Sequence, residues 1–478
     1  MPVSASKHAL FLAAWFVAGD GAATLPQPIA RAFLDQGIPL RAVGAYVQEI
    51  GEARPLIEHQ AARPMNPAST MKLLTTFAAL ELLGPGYRWR TEAYADGPIS
   101  DGVLAGNLVL KGYGDPKITV EQFQQLILRL RATGLTAIRG DLVLDRSYFA
   151  TGGHDPAAFD GEPLKPYNVG PDALLVNFKS VRFVFAPEAN GDAVDVRAEP
   201  ALSNVVIRSA PSPGTGDCGE WRGGLRALFA DRADRADAAF RGRYPIACGE
   251  RDWYVALLDH PHYVLGMFAA AWAAAGGTFS GNVREGRVPS GVSPLATLDS
   301  VPLSEVVRDI NKLSNNVMAR QVFLTLAVVE YPPPATTSHA AAVLRHWLRE
   351  RKASLPDLAL ENGSGLSRHE RIAAQSLGRL LLAADQSKVR AEYLSSLAVA
   401  AADGTVRKRF ENEDVADQAM LKTGSLEGVR AIAGYVLAPN GRSFVVVCFV
   451  NHANAAAAQP ALDQLVKWVY ASAGSSAR

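Results

Sequence analysis

The sequence predicts an α/β (α+β) fold carrying a long β-rich insert, and three observations predict it. Both ends of the chain mix strand-like alternation with apolar residues at helical spacing. Residues 91–258 instead break into short strand patterns divided by Gly, Asp and Pro. At 478 residues the chain exceeds one hydrophobic core, so roughly two or three domains are expected. The expected division is a leader at 1–23, a main domain from 24–90 plus 259–478, and an insert at 91–258 made of two small units.

In chain order, Ala9 to Ala18 form a short apolar stretch after Lys7, followed by small residues at Gly21-Ala22-Ala23. That pattern reads as a secretory signal peptide cut after Ala23, with an uncleaved N-terminal anchor as the alternative. Ala30 to Gln36 reads as a short helix and Leu40 to Ile50 as a strand. Leu73 to Gly84 is an apolar, alanine-rich helix. Within the insert, Leu104 to Lys111, Ile138 to Asp145, Leu174 to Phe185 and Asn204 to Ser209 read as strands, and long helices are few. Helical spacing returns at Val264 to Ala275, Leu303 to Ile310, Asn315 to Val329, Ala340 to Arg351 and Ala374 to Asp385. The apolar run Val264 to Gly277 is too short to span a membrane. Strands at Gln418 to Lys422, Val429 to Ala438 and Ser443 to Asn451 precede a last helix from Ala461 to Ala473.

The balance of 48 basic and 47 acidic residues, without a long charge run, argues against nucleic acid as a partner. Export implies an oxidising compartment, where cysteines pair. Cys218 and Cys248 sit in similar turn-rich settings, Asp-Cys-Gly-Glu and Ala-Cys-Gly-Glu, and are expected to form a disulfide. Cys448, inside the apolar run Phe444 to Val450, reads as a buried strand residue. The cluster Asp259-His260-Pro261-His262 lacks the H-E-x-x-H spacing, and Pro261 forbids a shared helix face, so no metal is expected. No glycine-rich nucleotide loop is present, and no cofactor is expected.

The chemistry-bearing stretch is Pro67-Ala68-Ser69-Thr70-Met71-Lys72. Ser69 stands at a helix start, where free N–H groups and partial positive charge gather. Lys72, three residues on, is its neighbour on the helix face and could take its proton. Alone the signal is weak, since S-x-x-K arises about once by chance in a chain this long. Ser314-Asn315-Asn316 then fits S-x-N, and Lys422-Thr423-Gly424 fits K-T-G. Singly, Ser314 reads as a helix N-cap and Lys422 to Gly424 as the end of an edge strand. In this order the three are the motif set of serine β-lactamases and penicillin-binding proteins, with S-D-N the usual middle member.

On these residues the chain resembles a class C low-molecular-mass penicillin-binding protein, of the D-alanyl-D-alanine carboxypeptidase/endopeptidase branch of peptidase family S13. The likeness covers essentially the mature chain. It rests on the motifs, on the long interval from Ser69 to Ser314, and on several further runs. These are Gly112-Tyr113-Gly114-Asp115-Pro116, Asn362 to Arg368, Asp403-Gly404-Thr405 and Lys422 to Val429. Tyr113 stands where the family often has glycine. The region of Asp160, Glu162 and Tyr167 matches the family's side-chain pocket only loosely.

The resemblance implies a penicillin-recognising transpeptidase-like domain interrupted by β-rich domains. It implies attack by Ser69 on a D-Ala-D-Ala bond of a peptidoglycan stem peptide, then hydrolysis of the acyl-enzyme. Lys72 would serve as an uncharged base, Ser314 as a proton relay and Asn316 as a guide for Lys72. Lys422, Thr423 and Ser425 would hold the substrate carboxylate, and Gly424 would leave it room. The N–H groups of Ser69 and Ser425 would form the oxyanion hole, and Arg368 with Glu427 would line the pocket for the third stem residue. Expected partners are peptidoglycan peptides and β-lactams, in the periplasm, with at most peripheral membrane contact and an open oligomeric state. Two rivals remain: a serine β-lactamase, for which no E-x-x-L-N match exists, and a non-catalytic cell-wall binding protein, which has no need of Lys72.

Overall fold

The computed structural model describes residues 24–472 apart from 151, 233 and 352–354. The expected leader lies outside the described residues, as does Ala473 at the end of the last predicted helix. The central element is a six-stranded antiparallel sheet. Its order is Ile57–His59, Val43–Glu49, Ser443–Asn451, Val429–Leu437, Ala419–Leu426 and Ala398–Val399. The first and last parts of the chain therefore pair directly, with Val43 opposite Val450.

The apolar run in Ser443–Asn451 is continuous because both faces of this strand are covered. Val445, Val447 and Phe449 point into one core with Phe77, Met71 and Leu74 of the nucleophile segment. Val446, Cys448 and Val450 point into the other, under the helices Gln27–Asp35 and Gln459–Ser472. Cys448 is free and buried there. The same two-residue period settles where Lys422 faces. It lies opposite Ala433, which lies opposite Val447, which lies opposite Tyr46, all on the nucleophile side. A slip of one residue would send Lys422 to the other core.

The insert is built from several small sheets sharing one core with the helices Val120–Ala132 and His260–Ala274. Phe183, Phe185, Phe240, Tyr244 and Trp272 fill it. Cys218 and Cys248 are disulfide-bonded at its edge, with Cα atoms 4.7 Å apart. Beyond residue 258 the chain still pairs with strands that lie before it. Val283–Glu285 pairs with Leu142–Asp145, and Ala296–Asp299 pairs with Arg90–Asp96. We therefore propose that the insert is the segment from Arg90 to Asp299, closed by its own two ends. Helix His260–Ala274 belongs to it because its apolar residues Tyr263, Phe268 and Trp272 complete the insert core.

Other elements differ from expectation for local reasons. Helix Val120–Ala132 carries a capping box, Thr119 with Gln122, and buries Phe123, Leu126, Ile127 and Leu130 at helical spacing. The predicted strand Leu174 to Phe185 begins only at Val181, because Asn177, Phe178 and Lys179 adopt left-handed conformations. Pro261 does not keep His260 and His262 off a helix. It occupies the first turn, where its missing N–H costs nothing. His262 Nδ1 lies 2.8 Å from Asp259, which caps that turn.

The insert docks on the main domain at several places, among them its stretch 166–179 and Lys117. Arg320 donates to the Val169 carbonyl at 2.9 Å, and Gln321 bridges the backbone N–H and carbonyl of Asp172. Lys117 lies 2.7 Å from both Glu305 and Asp309. Because the Phe240 ring packs against Phe183, Phe185 and Trp253, Phe240→Ala should cost about 3–5 kcal/mol. Urea unfolding followed by tryptophan fluorescence measures this, and a loss below about 1 kcal/mol would contradict the packing assigned to the insert.

Candidate active site

Ser69 lies in a 3₁₀ turn, Ala68–Met71, that runs into the helix Lys72–Leu83. Ala68 enters this turn with φ +45°, a left-handed conformation rare for a residue with a Cβ. Lys72 Nζ lies 2.9 Å from Ser69 Oγ and donates to Asn316 Oδ1 at 2.6 Å and to the Ser364 carbonyl, so that an uncharged amine with two N–H groups keeps its lone pair for the Ser69 hydroxyl. All three partners are neutral. Lys72 is fully buried, and burial first, then the neighbouring Lys422, holds its pKa well below that of an ordinary lysine. Glu370 opposes this shift, and Arg320 adds to it. An uncharged amine beside a hydroxyl is what a general base requires.

Ser314 ends the helix Leu303–Leu313 in a left-handed conformation, φ 59° and ψ 33°. The N-cap role expected of Ser314 taken singly belongs instead to Asn315, whose side chain accepts the Met318 N–H at 3.0 Å. The strained turn leaves the Ser314 hydroxyl facing the clamp strand Ala419–Leu426. There Lys422 Nζ donates to Ser314 Oγ at 2.8 Å and to the Thr423 carbonyl at 2.8 Å. Lys422 is also fully buried, and burial lowers its pKa to about 7. Thr423 bonds the Thr405 hydroxyl at 2.8 Å. The loop before Thr405 is tied down by the ion pair of Asp403 with Lys312, two residues before Ser314.

Two glycines close the site around the Ser69 turn. A Cβ on Gly424 would stand 2.8 Å from the Pro67 carbonyl oxygen and 3.0 Å from the Ala68 methyl. A Cβ on Gly365 would stand 1.9 Å from the Ala68 carbonyl oxygen, and Gly365 itself has φ +79°. Clamp strand and loop thus press on the turn from two sides, at distances only a bare backbone permits. Ser425, next along the strand, is exposed.

The seven motif residues therefore meet in one place as two bonded groups, Ser69–Lys72–Asn316 and Ser314–Lys422–Thr423, brought side by side where Gly424 abuts the Ser69 turn and the charge of Lys422 acts on Lys72. Arg368 and Glu427 form a separate pair on the rim. Arg368 Nη2 is 3.3 Å from Glu427 Oε2, and its guanidinium lies 4.7 Å from the Phe159 ring centroid. This rim borders a cavity of about 470 Å³ lined by Phe159, Asn362, Leu366 and Ser367. A second cavity, about 720 Å³, lies between Ser314, Asn315 and Asn316 on one wall and Tyr167, Phe178 and Tyr254 of the insert on the other. Near Arg368, Asp160 accepts from Tyr167 at 2.8 Å and Asn168 at 2.7 Å. Against the upward push of burial, these bonds and Arg368 keep its carboxyl below the usual range.

Ser364, Gly365, Thr405 and Glu370 lie outside the three motifs and join the site only in the structure. Ser364 and Gly365 act through backbone atoms, and carbonyls leave no residue-type signature. The dense Asn-Gly-Ser-Gly run was the available signal, because consecutive small residues mark close backbone approach.

Known proteins carry the same architecture. A D-alanyl-D-alanine carboxypeptidase of Actinomadura sp. (strain R39) is 27% identical over 440 residues, spanning 88% of this chain and 80% of that relative. The crystal structure of penicillin binding protein 4 (dacB) from Haemophilus influenzae superposes with a TM-score of 0.77 at 22% identity, covering 93% of this chain and 99% of that one. The same protein complexed with a novel β-lactam matches with a TM-score of 0.72 at 23% identity, over 92% and 99% of the two chains. The family model for D-Ala-D-Ala carboxypeptidase 3 (S13) matches residues 25–472, nearly the whole of the chain, which therefore belongs to that family.

Proposed function

We propose that the protein is a serine D-Ala-D-Ala carboxypeptidase, with endopeptidase capacity, acting on peptidoglycan stem peptides through an acyl-enzyme on Ser69 and inhibited by penicillin. The observation that carries this reading is the buried Lys72 amine 2.9 Å from Ser69 Oγ, with Lys422 poised on Ser314 beside it. Family membership supports the substrate class. The β-lactam complex of the Haemophilus influenzae protein supports inhibition by the same compounds.

In this reading Ser69 Oγ attacks the carbonyl carbon between the two D-alanines while its proton passes to Lys72 Nζ. The oxyanion is met by the N–H groups of Ser69 and Ser425; removing one such donor elsewhere costs about 10²–10³ in rate. As the C–N bond breaks, the proton returns to the departing amine by way of Ser314. Its hydroxyl accepts from Lys422 and keeps its own hydrogen to give. Water then cleaves the ester and restores the Ser69 hydroxyl. Asn316 holds Lys72 by its amide oxygen. Lys422, Thr423 and Ser425 take the terminal carboxylate by charge-assisted bonds. Arg368 and Glu427, with Phe159 and Asp160 beside them, face the third stem residue.

Exported action outside the cytoplasm, in the periplasm, fits a chain holding a disulfide between Cys218 and Cys248. No helix among the described residues is long and apolar enough to cross a membrane.

Purified protein should release D-alanine from a pentapeptide, and Ser69→Ala should reduce the rate by about 10⁴-fold or more. Equal release by mutant and wild type would sink the reading. Penicillin should stay on Ser69 as an adduct in intact mass, whereas fast nitrocefin turnover without an adduct would favour a β-lactamase.

The two lysines set the pH dependence with opposite signs. Lys72 works uncharged, so kcat/KM climbs as pH rises through its depressed pKa. Lys422 works charged, and with a pKa lowered to about 7 it loses its grip on the carboxylate as pH rises through that value. The expected kcat/KM profile is a bell whose alkaline limb lies near neutrality. A profile level from about pH 6 to 9 would contradict it.

A further inference from the structure

Glu370 has no role in the chemistry above, yet its carboxylate is completely buried. Four backbone N–H groups donate to it. Those of Glu361 at 3.1 Å, Asn362 at 3.0 Å and Gly363 at 2.8 Å reach Oε1, and that of Gly365 at 2.9 Å reaches Oε2. All four partners are donors, the pattern of an ionised, acceptor-only carboxylate. Burial drives its pKa up, and the four N–H bonds oppose that rise.

The loop so gathered is the one that touches the nucleophile segment. The Gly363 carbonyl accepts from Thr75 Oγ1 at 2.7 Å, and the Ser364 carbonyl accepts from Lys72. Asn362 Oδ1 binds the Ser364 N–H at 2.9 Å and its hydroxyl at 2.6 Å, and the Ser364 carbonyl shares its peptide plane with the Gly365 N–H that Glu370 holds, so it points away from that carboxylate. Gly365 backs the Ala68–Ser69 peptide, where even a methyl would collide. Glu370 is held in turn, its own N–H donating to Ser367 Oγ at 3.0 Å. A glycine-rich loop free to wander would lose both contacts, because glycine has the most backbone freedom to give up.

We propose that Glu370 is a positioning residue for acylation, folding the loop 361–365 around its carboxylate so that Ser364 orients Lys72 and Gly365 braces the turn of Ser69. This rests on the function proposed above. Glu370 also adds a negative charge to the surroundings of Lys72, where Arg320 on helix Asn316–Ala327 and Lys422 on the clamp strand act with the opposite sign and Ser69, Asn316 and Ser364 supply neutral groups. That charge favours the ammonium form of Lys72. Its removal should lower the pKa of Lys72 further and move the acid limb of the rate profile to lower pH.

The test is stopped-flow acylation by benzylpenicillin across pH, separating the acylation rate constant from the non-covalent dissociation constant. Glu370→Gln keeps the shape but sets an amide N–H₂ against backbone donors. Its acylation rate constant should fall by about 10²-fold, as misplacement of a reacting group by about 1 Å does. Its dissociation constant should stay within about threefold, and its acid limb should lie below that of wild type. A folded Gln variant with the wild-type rate, or with a slowed rate and an unmoved limb, would overturn the proposal. If that variant does not fold, Glu370→Asp, which keeps the charge on a shorter arm, should acylate slower with the limb in place; wild-type acylation by it would equally overturn the proposal. Wild-type protein that takes up no penicillin would instead overturn the parent reading.

Discussion

A lysine sealed in the interior without a carboxylate against it is the constraint from which the rest of the site follows. Lys72 meets a hydroxyl, an amide oxygen and a backbone carbonyl. Keeping an ammonium there would cost several kcal/mol of lost hydration, so the chain lowers the basicity of the group instead. A second buried lysine, Lys422, sharpens the effect, since two cations in one dry pocket disfavour each other. The residues around this nitrogen come from the nucleophile helix, the S-x-N helix, the glycine-rich loop and the clamp strand. Here each must arrive at one atom.

That convergence is enforced by packing as much as by bonding. The peptide of Ala68 is trapped between Gly365 and Gly424, and both contacts are shorter than any side chain would tolerate. The clamp strand can come so close because its register is locked by apolar cores on both faces of the central sheet. Sheet register, glycine placement and the lysine environment are thus one design expressed at three scales. The left-handed Ser314 belongs to it too, as local strain spent on aiming a hydroxyl.

Much of this was visible in the residues alone. The three motifs and their order could be read directly, as could the helix after Ser69 and the three C-terminal strands, two of which, Val429–Leu437 and Ser443–Asn451, show two-sided burial as nearly unbroken apolar runs. Which core the helix His260–Ala274 joins was not. Helix His260–Ala274 has the same apolar periodicity as the helices of the main domain, and periodicity does not say which core a face will join. Helix Val120–Ala132 was announced by its Thr119–Gln122 capping box, a signal overlooked among strand patterns. The roles of Ser364 and Glu370 were illegible for another reason. One works through its carbonyl, and the other is a charged residue whose burial contradicts its type.

The pairing of Val43–Glu49 with Ser443–Asn451 has a consequence for how the protein comes into being. The central sheet joins segments from opposite ends of the polypeptide, so no partly synthesised chain can assemble it. The insert is different, because its two margins meet at Arg90 and Asp299 and its core needs nothing beyond them. Contacts between nearer segments close first, since the entropy lost in ring closure grows with the span enclosed. Maturation should then begin in the appended cassette and finish at the reactive centre, which stays chemically mute until the final strands arrive.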